Sequence, residues 1–318
     1  MALSDLAVFS EQVNTALTEV LAYQVDLFNA ASNGAIVLRA ANHSGDYSEL
    51  AMWAKVNGLV RRRNAYGTGD VAEKTLAQIT DTMVKVAAGT PPVRIDPGQF
   101  EWINKSPEEA GAVIGQQLAG DTLADMLDTA IICTSAALNG VAALVHDADD
   151  GVLEMADYNV AQSKFGDRAG TLAAWIMHSK PLFDLYGAAM ANATGLFTFE
   201  SIQVTRDPFG RVFVITDSPA LVTAGTPNLY TSLGLVPGAV TVDQNDDFTD
   251  NISTVNGKEN IVRTYQGEWS YNLGVKGFSW DKTNGGKSPT NAALATSTNW
   301  DKYVSSNKDA AGVLIVSQ

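Results

Sequence analysis

Ser106–His146 reads SPEEAGAVIGQQLAGDTLADMLDTAIICTSAALNGVAALVH, and its periodicity decides the architecture of the chain around it. Apolar side chains recur at helical spacing: Val113, Ile114, Leu118, Leu123, Met126, Leu127, Ile131, Ile132, Leu138, Val141, Leu144 and Val145. Gln116, Gln117, Asp121, Asp125 and Asp128 fill much of the opposite face, so one amphipathic helix is predicted over the whole stretch, with two core helices broken near Gly120 as the alternative. Ser106 stands at the N-cap position, Pro107 suits the first turn, and Glu109 completes a capping box at the positive end of the helix dipole. A helix of roughly forty residues would be ~60 Å long, against a diameter of about 50 Å for a compact chain of this size. An elongated or flat molecule follows. Gly111, Gly115, Gly120 and Gly140 each cost about 1 kcal/mol relative to Ala in a helix interior, so packing must hold the element. Those glycines are where another backbone can approach closely.

A chain of 318 residues with 46% apolar residues can bury a sizeable core. No run of eighteen apolar residues is present, and the opening MALSDLAVFSEQ lacks a basic region followed by an apolar one, so neither a membrane span nor a signal peptide is predicted. The single cysteine, Cys133, excludes an intrachain disulfide and reads as a small buried apolar residue. A formal charge of −14 argues against a general nucleic-acid binder, because affinity for phosphate rests on clustered Lys and Arg.

Residues 4–31 carry Leu6, Val13, Leu17, Val20, Leu21, Val25 and Phe28 at helical spacing and end at Ser32-Asn33-Gly34: an amphipathic arm, docked on its own core or on a neighbouring subunit. From Ala35 to Ile95, short β-branched pieces alternate with polar turns, predicting a long projecting hairpin that cannot bury a core by itself. Arg61, Arg62 and Arg63 are the dense basic run of the chain, readable as a solvated edge or as an intermolecular salt-bridge patch. Pro91-Pro92 and Asp96-Pro97-Gly98 form a rigid exit before Phe100 and Trp102.

Beyond the long helix, HDADDGVLEMADYN is acidic, but its spacing fails the calcium-loop pattern and a solvated loop is expected. A helical piece near Gln162–Arg168, a buried strand at Leu172–His178 and a helix over Lys180–Asn192 follow. Phe197–Thr216 reads as a hairpin turning at 206–210; shorter strands lie at 228–236 and 238–244, then an acidic loop over Asn245–Asn256. Ile261–Asp281 is long enough for one extended strand or a tight pair, and GVLIV at 312–316 reads as a strand joining an existing sheet.

The chemistry-bearing patterns are thin. GGKS at 285–288 resembles a phosphate loop only superficially: Asp281 stands where the first Gly belongs and Pro289 where a helix should begin. His178 has no nucleophile or acid at a recognisable spacing, and no metal-binding cluster, dinucleotide fingerprint or nucleophile elbow appears. No catalytic residue, cofactor or metal is expected. An arm, a projecting hairpin and a long helix are more protrusions than a monomer needs, which points to neighbours.

The order of these elements resembles the major capsid protein of tailed bacteriophages, with its α+β HK97-like fold. Several stretches are similar to siphophage capsid proteins: MALSDLAVFSEQV (1–13), GDYSELAMWAKVNGLVRRRNAYG (45–67), AAWIMHSKPLFDLYG (173–187), RDPFGRVFVITDSP (206–219), TYQGEWSYNLGVKGFSWDKTNGGKSPT (264–290) and NWDKY (299–303). The resemblance implies an N-terminal arm at 1–33, an extended loop at 34–95, a peripheral domain with the spine helix at 96–169, an axial domain at 170–260, and a return to the peripheral domain over 261–318. It also implies a non-enzymatic subunit that assembles as hexamers and pentamers into an icosahedral shell in the host cytoplasm. The shell encloses double-stranded DNA without sequence-specific binding. Partners would be further copies of the chain, a portal and in some relatives a decoration protein; with the arm starting near Met1, a separate scaffolding protein is expected. Lys55, Lys74 and Lys85 lie in the loop region, with nothing to mark one as a cross-linking residue. For the contacts between subunits, Arg61, Arg62 and Arg63 are expected against acidic residues of an adjacent copy, with Glu108 and Glu109 as candidates. Two alternatives compete: a cellular nanocompartment shell of the same fold, and an α/β hydrolase using His178 and nearby carboxylates.

Overall fold

In the computed structural model, the described residues are 3–54, 56, 59–96, 98, 101, 103, 105–148, 151–186, 194–199, 202–206, 212–257, 259 and 261–318. Helix α1 (Leu3–Ala31) buries Phe9, Val13, Leu17, Leu21 and Phe28, a stripe at helical spacing worth roughly 1.5–3 kcal/mol per side chain. It lies on the chain's own core. Asn33 and Gly34, at φ 54° and 65°, turn the backbone out of the helix.

The predicted loop from 34 to 95 narrows at both ends. Strand β1 (Ile36–Ala40) pairs in parallel with β12, while β2 (Tyr47–Trp53) pairs with the first half of β3 (Gln78–Gly89). The second half of β3 and β4 (Val93–Ile95) lie along β14. Ile36, Leu38, Val84, Val86 and Ile95 are buried, and that burial pulls both flanks into the sheet. What projects is the β2–β3 ribbon with its tip. Pro97, Phe100 and Trp102 of the expected exit lie outside the described residues.

The spine, α2 (Pro107–Asn139), has 33 residues and is ~50 Å long, shorter than its periodicity predicts. Val141 turns extended, residues 142–144 make one 3-10 turn, and β5 (Val145–Asp147) pairs with β17. Strand pairing claims the apolar residues that would have continued the helix. Nor does the Ser106 side chain cap it: at φ −142° and ψ 71° its hydroxyl makes no cap hydrogen bond, so the predicted box with Glu109 is not formed. The expected polar face is also narrower. Between Leu118 and Leu138 the helix is buried on nearly every side, packing against β12, β14 and β16 of one sheet and β17 of another.

Helix α3 (Met155–Ser163) and a 3-10 segment at 166–171 replace the expected loop and the helical piece at 162–168. Glu154 and Asp157 form the capping box that starts α3. The buried strand and following helix appear as β6 (Ala174–Met177) and α4 (Ser179–Tyr186); residues 187–192 of that predicted helix lie outside the described set. Strands β7 (Thr194–Phe199), β8 (Ile202–Arg206) and β9 (Val212–Thr216) follow, where two strands had been expected, and most of the predicted turn at 206–210 is undescribed. Then come β10 (Val222–Thr223), β11 (Leu229–Leu235) and β12 (Val240–Gln244). The supposed acidic loop is largely strand β13 (Thr249–Val255), hydrogen-bonded along β14 (Val262–Val275). A turn at Lys276-Gly277 leads to β15 (Phe278–Trp280), so the run 261–281 is both a long strand and a tight pair. Helix α5 (Asn291–Leu294), β16 (Trp300–Lys302) and β17 (Gly312–Ser317) close the fold.

Two sheets result. The first runs β1-β12-β14-β15-β16 with β3, β4 and β13 also on β14 and β2 on β3; the second runs β5-β17-β11-β6-β9-β8-β7, with β10 on β11. Each sheet draws strands from more than one of the expected segments. Strands β12 and β13, expected with the axial segment, join the first sheet, because Val240 and Val242 bury beside Leu273 and Val275 of β14. Strand β17, expected to return to the peripheral segment, sits inside the second sheet, where the buried run Val313, Leu314, Ile315 finds neighbours on both edges.

Candidate assembly interface

The β2–β3 ribbon is paired from Tyr47↔Val84 to Trp53↔Gln78, seven residues or ~23 Å, and residues 59–77 beyond it run as an irregular tip. Ribbon and tip expose Leu50, Trp53, Leu59, Val60, Tyr66, Val71 and Leu76, with Val60 at 94% and Tyr66 at 95%. A two-stranded ribbon with that much bare apolar surface is not stable in water by itself, so the surface is built to be covered. Arg61, Arg62 and Arg63 are exposed within it. None of the three forms an ion pair among the described residues, and Glu108 and Glu109 stand exposed in the first turn of α2. Within one chain, the structure does not bring these two sets together. Of the three loop lysines, Lys85 pairs with Asp247 at 3.4 Å, and Lys55 lies outside the described residues.

The root of the ribbon is fastened to the turn after β15. Lys282 pairs with Glu49, and Lys287 with Asp46 at 2.7 Å. Tyr303 donates to Asp81 at 3.2 Å, and the Thr82 N–H donates to Ser279 Oγ at 3.1 Å. Burial raises the Asp81 carboxyl, while burial and the adjacent Asp81 charge push Tyr303 up to about 12. Lys287, the lysine of GGKS, thus serves the ribbon's root.

At the other end of the site, the spine meets α1 where both backbones come close. A Cβ on Gly111 would stand 2.8 Å from Gln12 Cβ and 2.9 Å from the Phe9 carbonyl oxygen; one on Gly115 would stand 2.7 Å from both Ala16 Cβ and the Val13 oxygen. Further along, Asp125 accepts from the Tyr271 hydroxyl at 2.8 Å, and Thr129 bonds the same hydroxyl at 2.9 Å. The Ser218 hydroxyl favours the charged form of Asp128. Two carboxylates one turn apart therefore tie the spine to β14 and to the segment after β9. Burial raises both, and burial plus the Asp125 charge drives the Tyr271 phenol far above its ordinary value. Sequence reasoning had placed both acids on a solvated face; their i, i+3 spacing on an otherwise apolar stretch was the available signal.

His178 Nδ1 accepts the Lys180 N–H at 3.2 Å and stands 3.5 Å from Ser179 Oγ, while Nε2 is 3.5 Å from Asp217 and the ring packs on Tyr230. His146 bonds Asp157 at 2.9 Å. Cys133 is fully buried and its thiol raised well above its ordinary value by burial. Among the described residues no group of three potential ligands could hold a metal, and no helix is long and apolar enough to cross a membrane.

None of the curated proteins matches the chain. Among solved structures, a chain of Mycobacterium phage Adephagia is 10% identical at a TM-score of 0.47, over 91% of this chain and 89% of its own. The cyanophage Pam1 capsid asymmetric unit gives 11% and 0.47 over 86% and 85%, and the acid-stable capsid of Helicobacter pylori bacteriophage KHP30 gives 11% and 0.46 over 89% and 86%. The assignment rests instead on a family model, described as major capsid protein 13-like, which matches residues 5–314. A chain whose exposed ribbon demands a neighbour, and which fits that model over nearly its whole length, belongs to the Gp13-like family of major capsid proteins and has a structural role in a capsid shell.

Proposed function

We propose that this chain assembles with itself as hexamers and pentamers into an icosahedral virion shell around the double-stranded DNA of a tailed phage. The observation that carries the reading is the ribbon: a projecting element with bare Trp53, Leu59, Val60 and Tyr66 is accounted for by a neighbouring copy that covers it. The first sheet with the spine would form the peripheral part of the subunit, the second sheet the axial part near the capsomer centre, and α1 the arm. Arg61, Arg62 and Arg63 would meet carboxylates of the adjacent copy, those of Glu108 and Glu109 among them. Weak contacts of this kind become strong by closure, since each copy touches several others. Assembly takes place in the host cytoplasm with a separate scaffolding protein and a portal, and a decoration protein completes the outside in shells that carry one. The charge of −14 suits a container whose DNA is repelled from its wall and stays mobile.

Electron microscopy and sedimentation of the protein co-expressed with its neighbouring genes test this reading. Closed shells or capsomer rings are expected. A discrete small oligomer that stays small with every neighbour present would refute it.

A further inference from the structure

We propose that the groove between α1 and the outer edge of β1 is the seat for residues 59–63 of a second copy of the chain. The proposal rests on the shell reading and names the surface that receives the ribbon tip. The groove encloses about 650 Å3 over an apolar floor that includes Leu17, Val25, Met126 and Phe248. Its rim is acidic: Asp26 and Asp246 line it, and a smaller hollow that shares Asn14 and Phe248 extends it past Glu11, while Asp250 in that hollow is already held by the Ser10 hydroxyl. Arg39, the cation on the rim, is already held by Asp243 through two hydrogen bonds, one of 3.0 Å.

One wall of the groove is a strand edge that is exposed at Ala40, with Ile36 and Leu38 buried. Strand β1 pairs with β12 on one side only, through residues such as Ala35 and Ala41, so Ile36, Leu38 and Ala40 direct their backbone groups outward. The Asn29 carboxamide takes both groups of Leu38, with Nδ2 2.6 Å from its oxygen and Oδ1 3.0 Å from its nitrogen. Past that plug, Ala40 and Asn42 are exposed and line the groove.

Leu59-Val60-Arg61-Arg62-Arg63 complements this surface in two respects. Leu59 and Val60 are bare apolar side chains that need a floor, and three adjacent cations meet the three exposed carboxylates of Glu11, Asp26 and Asp246 in a chain that is otherwise strongly acidic. Five extended residues span ~16 Å, a segment that can follow the groove and meet the strand edge at Ala40. The tip is carried ~23 Å out along its own ribbon and touches nothing of its own chain that covers Val60, so the groove it fills is a neighbour's.

The test is cross-linking of assembled shells. Shells carrying Asn42→Cys with Val60→Cys should give, on mild oxidation, a ladder of covalently joined subunits on a non-reducing gel, with neither single variant giving one; Cys133 is fully buried and stays out of the reaction. Intact shells that yield only monomers would overturn the groove while leaving the shell standing. Wild-type protein that forms no shells would instead remove the shell reading itself. As a second readout, Asp26→Arg with Asp246→Arg should fold normally yet give at least tenfold fewer shells, restored by Arg61→Glu with Arg62→Glu. Normal assembly by the charge-reversed groove, or no rescue, would overturn the proposal.

Discussion

Replacing Gly115 by Ala should destabilise the subunit, although the same change on an exposed helix face stabilises. Helix propensity alone favours Ala by about 1 kcal/mol. Against it, the new methyl would stand 2.7 Å from the Val13 oxygen, 2.7 Å from Ala16 Cβ and 3.2 Å from the Leu17 nitrogen. Two of the three are backbone atoms, so no side-chain rotation relieves the clash. Restoring ordinary contact requires α1 and α2 to part by roughly 0.7 Å, and a gap of that size forfeits about a quarter to a half of each dispersion contact across it. The buried row Phe9, Val13, Leu17 and Leu21 carries those contacts. Overpacking penalties of about 1–3 kcal/mol, with the separation cost added and the propensity gain subtracted, leave a net loss of about 1–2 kcal/mol. Urea unfolding of the dissociated subunit followed by circular dichroism should show a midpoint lower by roughly 0.5 M, taking a slope of about 3 kcal/mol/M. Adding Gly111→Ala should cost less than its own single effect, because the helices have already parted. Gln117→Ala, exposed on the same helix, should stay within a few tenths of a kcal/mol. A Gly115→Ala midpoint equal to or above wild type would refute the close-crossing argument.

Asp125 and Asp128 are raised above 3.8 chiefly by burial, so the folded chain holds their protons more tightly than the unfolded one. Their contribution to stability grows as pH falls toward 3.8 and is lost as pH rises through the folded values. Asp125→Asn keeps an acceptor for Tyr271 and should raise the urea midpoint at pH 8 relative to that at pH 5; an unchanged difference would show that Asp125 titrates as it does in water. Substituting Arg61, Arg62 and Arg63 together by Ala should leave the subunit folded by circular dichroism but impair assembly by sedimentation, and equally salt-resistant shells from the triple variant would exclude an ion-pair role. Asn29→Ala leaves the Leu38 N–H and carbonyl facing the groove without their partner, which should cost about 1–3 kcal/mol in urea unfolding; no loss would mean that water replaces the carboxamide fully.

The elements that sequence revealed are those whose burial repeats with a period. The stripe from Phe9 to Phe28, the alternation through β3 and the apolar block of β17 each state which face is covered, so helix, strand and sheet follow. Boundaries failed where a distant partner decides the matter. Nothing within 140–147 says that β17 waits to pair with Val145–Asp147, so the periodicity ran on past Gly140. Thr249–Val255 looks like a loop until β14 supplies seven paired residues along it. The interface was half visible: the arginine run drew notice because charge is local, whereas the need to cover Leu59, Val60 and Tyr66 appears only once the rest of the core is seen to be complete without them. Asp125 and Asp128 were misplaced because two sheets, each assembled from remote segments, close over the side of the spine that carries them.

Strand β3 belongs half to the ribbon and half to the first sheet, where Val84–Gly89 lie antiparallel to Leu273–Glu268 of β14. If a neighbour holds the tip, tension on the ribbon acts along β3, parallel to the strand axis. The bonds to β14 are then loaded together in shear, and none can open first as they would if the strand were peeled away sideways. The load passes on through β14 into β12 and β1. Each subunit becomes a tie rod: outward load on the wall would be resisted by whole rows of bonds at once, and the wall would yield in the direction that pries the ribbon off its neighbour.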